Sequence, residues 1–225
     1  GITANPVIGR FSDMLGQRGG TTMVTEVPEM IAAEVFLMNR CADRAVFEKA
    51  AAMLNGFKDY FLRHGEVVYD NPSPGNKAGG ITTLEDKSCG CVQKGGTASI
   101  MDVVGYGGEV KTRGLNLLYG PGNDLVSATA MTAAGAHLIL FSTGRGTPFG
   151  APAPTIKVAT NTPLAEKKAG WIDFNAGAVA DGEMTIEEAA QALMERVLAA
   201  AGGARTKAEQ HGFREISIFK DGVVL

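Results

Sequence analysis

The sequence is short of several things, and each shortage weighs against a class of function. Cysteine occurs three times, an odd count. That argues against a disulfide framework, and with no secretory segment it points to a reducing cytoplasm. No apolar run approaches the roughly 18 residues that a membrane span needs. Positive charge is not in excess: the net charge is −3, so a general nucleic-acid footprint is not expected. No G-x-G-x-x-G follows the first strand and no Walker A pattern occurs. This weighs against a nucleotide-binding or regulatory module, the non-enzymatic alternative that a parallel sheet would allow. No internal repeat is visible. The chain opens on Gly1 rather than Met, with residues that already read as structured protein, so a piece of a longer polypeptide is expected.

Glycine, by contrast, is plentiful. The 225 residues include 30 glycines, about twice the usual share of roughly 7%. They fall in short clusters, which suits tight turns and close approach of backbone to a ligand. The stretch from Leu138 to Gly150 concentrates the pattern: an apolar run of strand length, then Thr143-Gly144-Arg145-Gly146-Thr147-Pro148. Successive N–H groups in such a turn form an anion-binding nest, and Arg145 adds a fork suited to a carboxylate or phosphate. A tight turn with a solvated arginine is the plainer reading of this loop alone. Charge placement favours a site. Between Ser88 and Lys168 seven basic residues stand against four acidic ones, a local +3 that leaves −6 elsewhere.

Periodicity and capping place the elements. A helix is expected from Asn5, as cap, with Pro6 in its first position and Val7, Phe11, Met14 and Leu15 on one face. A β-branched strand follows over Thr21–Val27, then a helix opened by Pro28 and running to about Met38. Asp43 caps a long amphipathic helix whose end carries His64. The spacing predicts a helix over 81–93 broken near Cys89-Gly90-Cys91, and strands over 97–104, 115–118, 137–142, 155–159, 171–177 and 214–220. Thr185 and Glu188 form a capping box for the clearest helix, ending near Ala201. Strand 115–118, a Gly-Pro-Gly turn, helix 125–134 and strand 137–142 read as a βαβ unit with parallel strands. The expected fold is therefore α/β: a Rossmann-like layered arrangement with a mainly parallel sheet flanked by helices. The loops at 119–124 and 143–150 leave carboxyl ends of strands and should share one crevice.

Polar residues at these loops are the candidates for chemistry. Asn71-Pro72-Ser73-Pro74-Gly75-Asn76-Lys77 is stiffened by two prolines, which fits a preorganised polar site presenting Ser73, Asn76 and Lys77; a surface turn is the alternative. Lys157 interrupts an apolar strand and is expected to point into a site. Asp124 reads equally as a helix N-cap, and Asp173 as half of a structural ion pair. Cys89 and Cys91 lack the C-x-x-C spacing of a zinc or redox site, which leaves inert thiols as the default and one metal-joining thiolate, Cys91, as the alternative. His64, His137 and His211 read as structural.

Taken together, Gly1-Ile2-Thr3-Ala4-Asn5-Pro6, the 71–77 segment, Thr82-Thr83-Leu84-Glu85-Asp86-Lys87-Ser88, Thr143-Gly144-Arg145-Gly146-Thr147-Pro148 and Trp171-Ile172-Asp173-Phe174-Asn175-Ala176-Gly177 resemble the altronate/galactarate dehydratase family of sugar-acid dehydratases. The closing His211-Gly212-Phe213-Arg214-Glu215-Ile216 looks more like the altronate branch. The resemblance implies that residues 1–225 are a C-terminal catalytic domain, lacking a small β-rich N-terminal domain, with a less regular subregion at 65–95. It implies hydro-lyase chemistry of hexuronate catabolism. D-altronate would lose water to give 2-keto-3-deoxy-D-gluconate, with a galactarate dehydratase or a sulfolactate sulfo-lyase-type subunit as the alternatives. It also implies a divalent metal, Fe2+ or Mn2+, and a cytoplasmic enzyme that has further copies of itself among its partners and acts on a small anionic sugar acid.

On that reading Arg145 clamps the carboxylate and Lys77 is base or acid. Ser73, Asn76, Asn123, Thr143, Gly144, Gly146, Thr147, Lys157 and Asn175 bind substrate. Asp124, Asp173 and Cys91 are the metal candidates.

Overall fold

The computed structural model describes residues 1–68 and 72–221. All strand pairings in it are parallel, but they form two sheets rather than one. The first contains β1 (Thr21–Val24), β3 (Gly114–Leu118) and β2 (Ile100–Val104) in that spatial order. The second contains β4 (Ile139–Thr143), β5 (Thr155–Ala159) and β6 (Phe174–Asn175). The fold is α/β and layered, as its pattern implies. The central strands β3 and β5 are the apolar ones, with Leu115, Leu117 and Leu118 in one and Ile156, Val158 and Ala159 in the other, all buried. Strands covered on both faces read as continuous hydrophobic runs.

The expected βαβ unit is divided. β3 and β4 belong to different sheets, and the helix between them, α6 (Asp124–Ala133), joins the two. Ala130 and its C-terminal neighbour Ala134 pack with Val104 and Leu118 of the first sheet, while Ala128 meets Ile139 and Phe149 beside the second. Small side chains let one helix lie against both. β1 and β4 are thereby left as edge strands, each paired on one side only.

α1 (Ala4–Gln17) buries Val7, Phe11 and Met14 against a core shared with β5 and with α8 (Ile186–Ala201). Asn5 is not its cap. The helix starts one residue earlier, and Asn5 donates its amide to the Gly90 carbonyl at 3.0 Å and accepts from Ser142 Oγ at 3.0 Å. α7 (Thr162–Lys167) is capped by Asn161, which accepts from the Leu164 N–H, and the Thr185 and Glu188 capping box of α8 is present in full. The first strand stops at Val24, and Pro28 opens a single 3-10 turn, Val27–Glu29, before a separate α2 (Glu34–Met38). α3 (Arg44–Arg63) is capped by Asp43, which accepts from the Val46 N–H. His64, just past its end, places Nε2 3.0 Å from Asp221 Oδ1.

The 65–95 region contains two short helices, α4 (Pro74–Ala78) and α5 (Leu84–Cys91), followed by a 3-10 turn, Val92–Gly95. Asn71 lies outside the described residues. Residues 214–220 do not form a strand. Inward and outward positions alternate as expected, but the backbone N–H groups of Ser217 and Phe219 donate to Thr129 Oγ1 and Tyr106 Oη, because the segment crosses side chains rather than a sheet edge.

α1 lies close to the Val92–Gly95 turn because Gly9 has no side chain. A Cβ there would stand 2.0 Å from the Gln93 carbonyl oxygen. Gly9→Ala is therefore expected to lower stability by about 1–3 kcal/mol through forced backbone displacement. Urea unfolding checks this, and Gly56→Ala, which meets open space on α3, is the control.

Candidate active site

Parallel strands direct their carboxyl ends one way, and ligands bind where those ends meet. Here three exits converge on one cavity of about 1420 Å³: Thr25 and Glu26 after β1, Asp124 after β3, and Thr143, Gly144 and Arg145 at the end of β4. Small-molecule sites usually measure ~300–1,000 Å³. This one is larger because it continues between the free edges of β1 and β4, whose residues line it. Gly75 lies directly against the Arg145 guanidinium, where a Cβ would sit 3.1 Å from Cζ. The segment from residue 72 to 80 and the 143–150 loop therefore meet.

The cavity contains an ionisable cluster. Glu26, Glu29, Lys87, Cys91, Lys94 and Asp124 all line it. Lys87 Nζ is 2.8 Å from Glu29 Oε1, and the Glu26 carboxyl and the Cys91 thiol stand beside Glu29 and act on its charge. Burial pushes Glu26 well above the ordinary carboxyl range, and the charges of Glu29 and Asp124 add to it while Lys94 opposes. Burial acts on Glu29 in the same direction, but Lys94 and Lys87 outweigh it and hold that carboxyl low. Asp124 is raised, first by burial and then by Glu29. The Cys91 thiol is pushed up to about 12, mainly by burial, so it is a neutral donor rather than a thiolate. Lys94 is raised: burial lowers it, and Cys91, Glu29, Glu26 and Asp124 together more than compensate. Among the described residues Lys94 has no hydrogen-bond or ion-pair partner of its own. A charged amine without a direct partner, ringed by carboxyl groups in a cavity, is placed to meet an anionic ligand.

Several expected site residues lie in this cavity: Asn76, Cys91, Asp124, Thr143, Gly144 and Arg145. Others do not line it. Ser73 and Lys77 are exposed on and beside α4. Asn123 caps α6, its side chain accepting from the Val126 N–H. The Gly146 N–H donates to Thr143 Oγ1 at 2.9 Å, which removes one donor from the expected nest. Lys157 is fully buried but turns away, donating to the Thr147 carbonyl at 2.7 Å. Its pKa is lowered to about 8, chiefly by burial. Asn175 is engaged at both ends of its amide, by Thr162 Oγ1 and the Gly177 N–H. Asp173 is a structural hub: its side chain is 0% exposed and accepts from Arg196 and from the N–H groups of Lys157 and Lys207.

The three metal candidates consequently do not converge. Asp173 is engaged elsewhere, and Cys91 keeps its proton. Among the described residues no group of three or more His, Cys, Asp or Glu side chains is arranged to hold a metal ion. The described residues do not fit a divalent metal by themselves.

Comparison with known proteins decides the family. Residues 1–224 match the family described as D-galactarate/altronate dehydratase, C-terminal. The chain belongs to this family. Within it, the chain is 54% identical over all 225 residues to an altronate dehydratase of Escherichia coli (strain K12), covering 45% of that protein. It is 53% identical, with the same coverage, to an altronate dehydratase of Bacillus subtilis (strain 168). A galactarate dehydratase (L-threo-forming) of Escherichia coli (strain K12) is 36% identical over 227 residues, with 43% of its length covered. The chain thus spans less than half the length of these curated relatives of the dehydratase family.

Glu26, Glu29 and Lys94 escaped the sequence reading. Extending the first strand to Val27 hid Glu26 inside an alternating pattern, and Glu29 was absorbed into a helix. The available signal was the rule that pointed to Asp124 and Arg145: a charged residue at the carboxyl end of a parallel strand, here two residues past Val24. Lys94 carried no local signal at all, because its place is set by the contact between α1 and the Val92–Gly95 turn.

Proposed function

We propose that residues 1–225 form the catalytic part of a longer dehydratase that converts D-altronate to 2-keto-3-deoxy-D-gluconate. The observation that carries the reading is the single cavity in which an unpartnered amine, Lys94, a guanidinium, Arg145, and carboxyl groups of raised pKa stand together. The preference for altronate over galactarate rests on 54% and 53% identity against 36%.

The reaction removes the proton beside a carboxylate and then the hydroxyl on the next carbon. Arg145 binds the carboxylate with its fork. Lys94 faces the oxygens on which negative charge develops as the proton leaves C2, where a fixed cation is most effective. Asp124, whose raised pKa brings it nearer neutrality than an ordinary aspartate, accepts that proton. Lys77, on the same short helix as Asn76 but outside the cavity lining, could accept the proton only if that helix shifts toward the substrate, and Lys77→Ala tests this. Asn76 and Thr143 supply hydrogen bonds to sugar hydroxyls. The Fe2+ or Mn2+ implied by the resemblance belongs to the proposal as well, with ligands beyond those assembled here; metal analysis of the full-length protein tests it. The partners proposed are the remaining part of the same polypeptide and further copies of the chain, in the cytoplasm. Among the described residues no helix is long and apolar enough to cross a membrane.

The test is 2-keto-3-deoxy-gluconate formation by the full-length protein, with Arg145→Ala and Lys77→Ala as variants. Arg145→Ala is expected to raise KM for altronate at least tenfold, the loss of a charge-assisted bidentate contact worth about 1.5–3 kcal/mol. Unchanged turnover in both variants would remove these assignments. Faster conversion of galactarate than of altronate would move the substrate to the other branch.

A further inference from the structure

We propose that Glu26 is the proton donor to the departing hydroxyl, a role that rests on the dehydratase reading above. Glu26 occupies the exit of β1, at the cavity wall. Its backbone is left-handed, with φ 69° and ψ 66°, a conformation that costs a non-glycine residue free energy and recurs at functional sites. Neither the turn to Val27–Glu29 nor the cap of that turn uses its side chain. The side chain instead reaches Glu29, with Ser127 Oγ 3.3 Å from Oε1.

Two buried carboxyl groups side by side cannot both be ionised without a large penalty, so the pair holds one proton. The surroundings decide where it sits. Lys87 and the Cys91 thiol both stabilise charge on Glu29. Facing Glu26 are Glu29 and Asp124, which disfavour its ionisation, and Lys94, which does not overcome burial. The proton therefore resides on Glu26, whose ionisation both Glu29 and Asp124 oppose, and Glu29 is the positioning residue that keeps it there. Lys94 is the independent sign that a ligand belongs here, since it lines the same space and has no hydrogen-bond or ion-pair partner among the described residues.

The step balances without any further reagent. The C2–H bond breaks, and its proton goes to the base, with the electron pair delocalised onto the carboxylate. The C3–O bond then breaks as the Glu26 proton passes to that oxygen, and one water leaves. The resulting enol transfers its hydroxyl proton to solvent and gains one at C3. Exchange with water returns the proton from the base to Glu26.

The experiment compares wild type, Glu26→Gln and Glu26→Asp in the full-length protein on altronate and on 3-deoxy-3-fluoro-altronate. Fluoride departs with much less need of a proton. Glu26→Gln is expected to lower kcat on altronate by about 10²–10⁴-fold, with KM within threefold. On the fluoro compound it should stay within about threefold of wild type, the margin that separates a lost donor from a damaged fold. Glu26→Asp should recover part of the altronate rate. Wild-type activity should fall on the alkaline side as Glu26 ionises, and that limb should vanish in Glu26→Gln. Equal losses on both substrates, or none on either, overturn the donor role while leaving the dehydratase reading intact. A wild type that dehydrates no sugar acid overturns the reading, and the donor role with it.

Discussion

Replacing Lys94 by Met in the full-length protein is expected to lower kcat on altronate by about 10²–10³-fold, the usual effect of removing one preorganised group from a developing oxyanion. Two consequences of the substitution act together. The enediolate loses the amine that faces it, and the carboxyl groups lose a shared counter-charge. Without Lys94, burial is opposed only by Lys87 and the Cys91 thiol at Glu29, so that carboxyl rises. Glu26 and Asp124 rise too, since Lys94 lowers both. The cluster then carries more protons at neutral pH, and Asp124 is a poorer acceptor. Steady-state kinetics against pH will show a lower plateau and an acidic limb moved to higher pH. A variant with unchanged kcat would mean that charge stabilisation comes from elsewhere in the polypeptide. Met is chosen because it retains the aliphatic stem, which keeps packing losses small.

The second large effect concerns stability. Asp173→Ala is expected to destabilise the protein by about 3–5 kcal/mol, the range for breaking a buried ion pair from one side. Asp173 is fully buried in its side chain, 2.9 Å from Arg196, and it receives the backbone N–H groups of Lys157 and Lys207. It therefore ties β5 to α8 and to α9 (Lys207–Gln210). Removing it leaves two backbone donors without their acceptor and one guanidinium without its counter-charge. For a chain of this length the loss corresponds to a melting temperature lower by roughly 6–20 °C. Calorimetry measures it, and a change within 1 kcal/mol would show that water replaces the carboxylate. KM for altronate should not change, because Asp173 lies outside the cavity lining.

Much of the local architecture was legible from residue order. Asp43, Thr185 and Glu188 announce their helices because a cap and its partner lie within one turn. Val46, Ala50, Met53, Leu54 and Phe57 form a buried stripe that 3.6-residue periodicity reveals. Lys157 was visible as an exception in an apolar strand, and it is indeed buried, but the direction it points depends on Thr147 and Phe213, which local pattern does not supply. Asn123 and Asn175 illustrate the same limit. An amide at a strand exit reads as a ligand for sugar hydroxyls, and only the positions of Val126, Thr162 and Gly177 reveal that it is already engaged.

Sequence alone determined most of the strands and helices and the caps at Asp43 and Thr185, and it carried the motifs by which family membership was expected, because each of these depends on residues a few positions apart. The tertiary structure decided that six parallel strands form two sheets, that β1 and β4 border one cavity, and that Glu26, Glu29, Lys94 and Asp124 meet there. Those outcomes depend on long-range packing of α1 and α6, which sets both the burial of each carboxyl group and the charges beside it, and so how strongly it holds its proton.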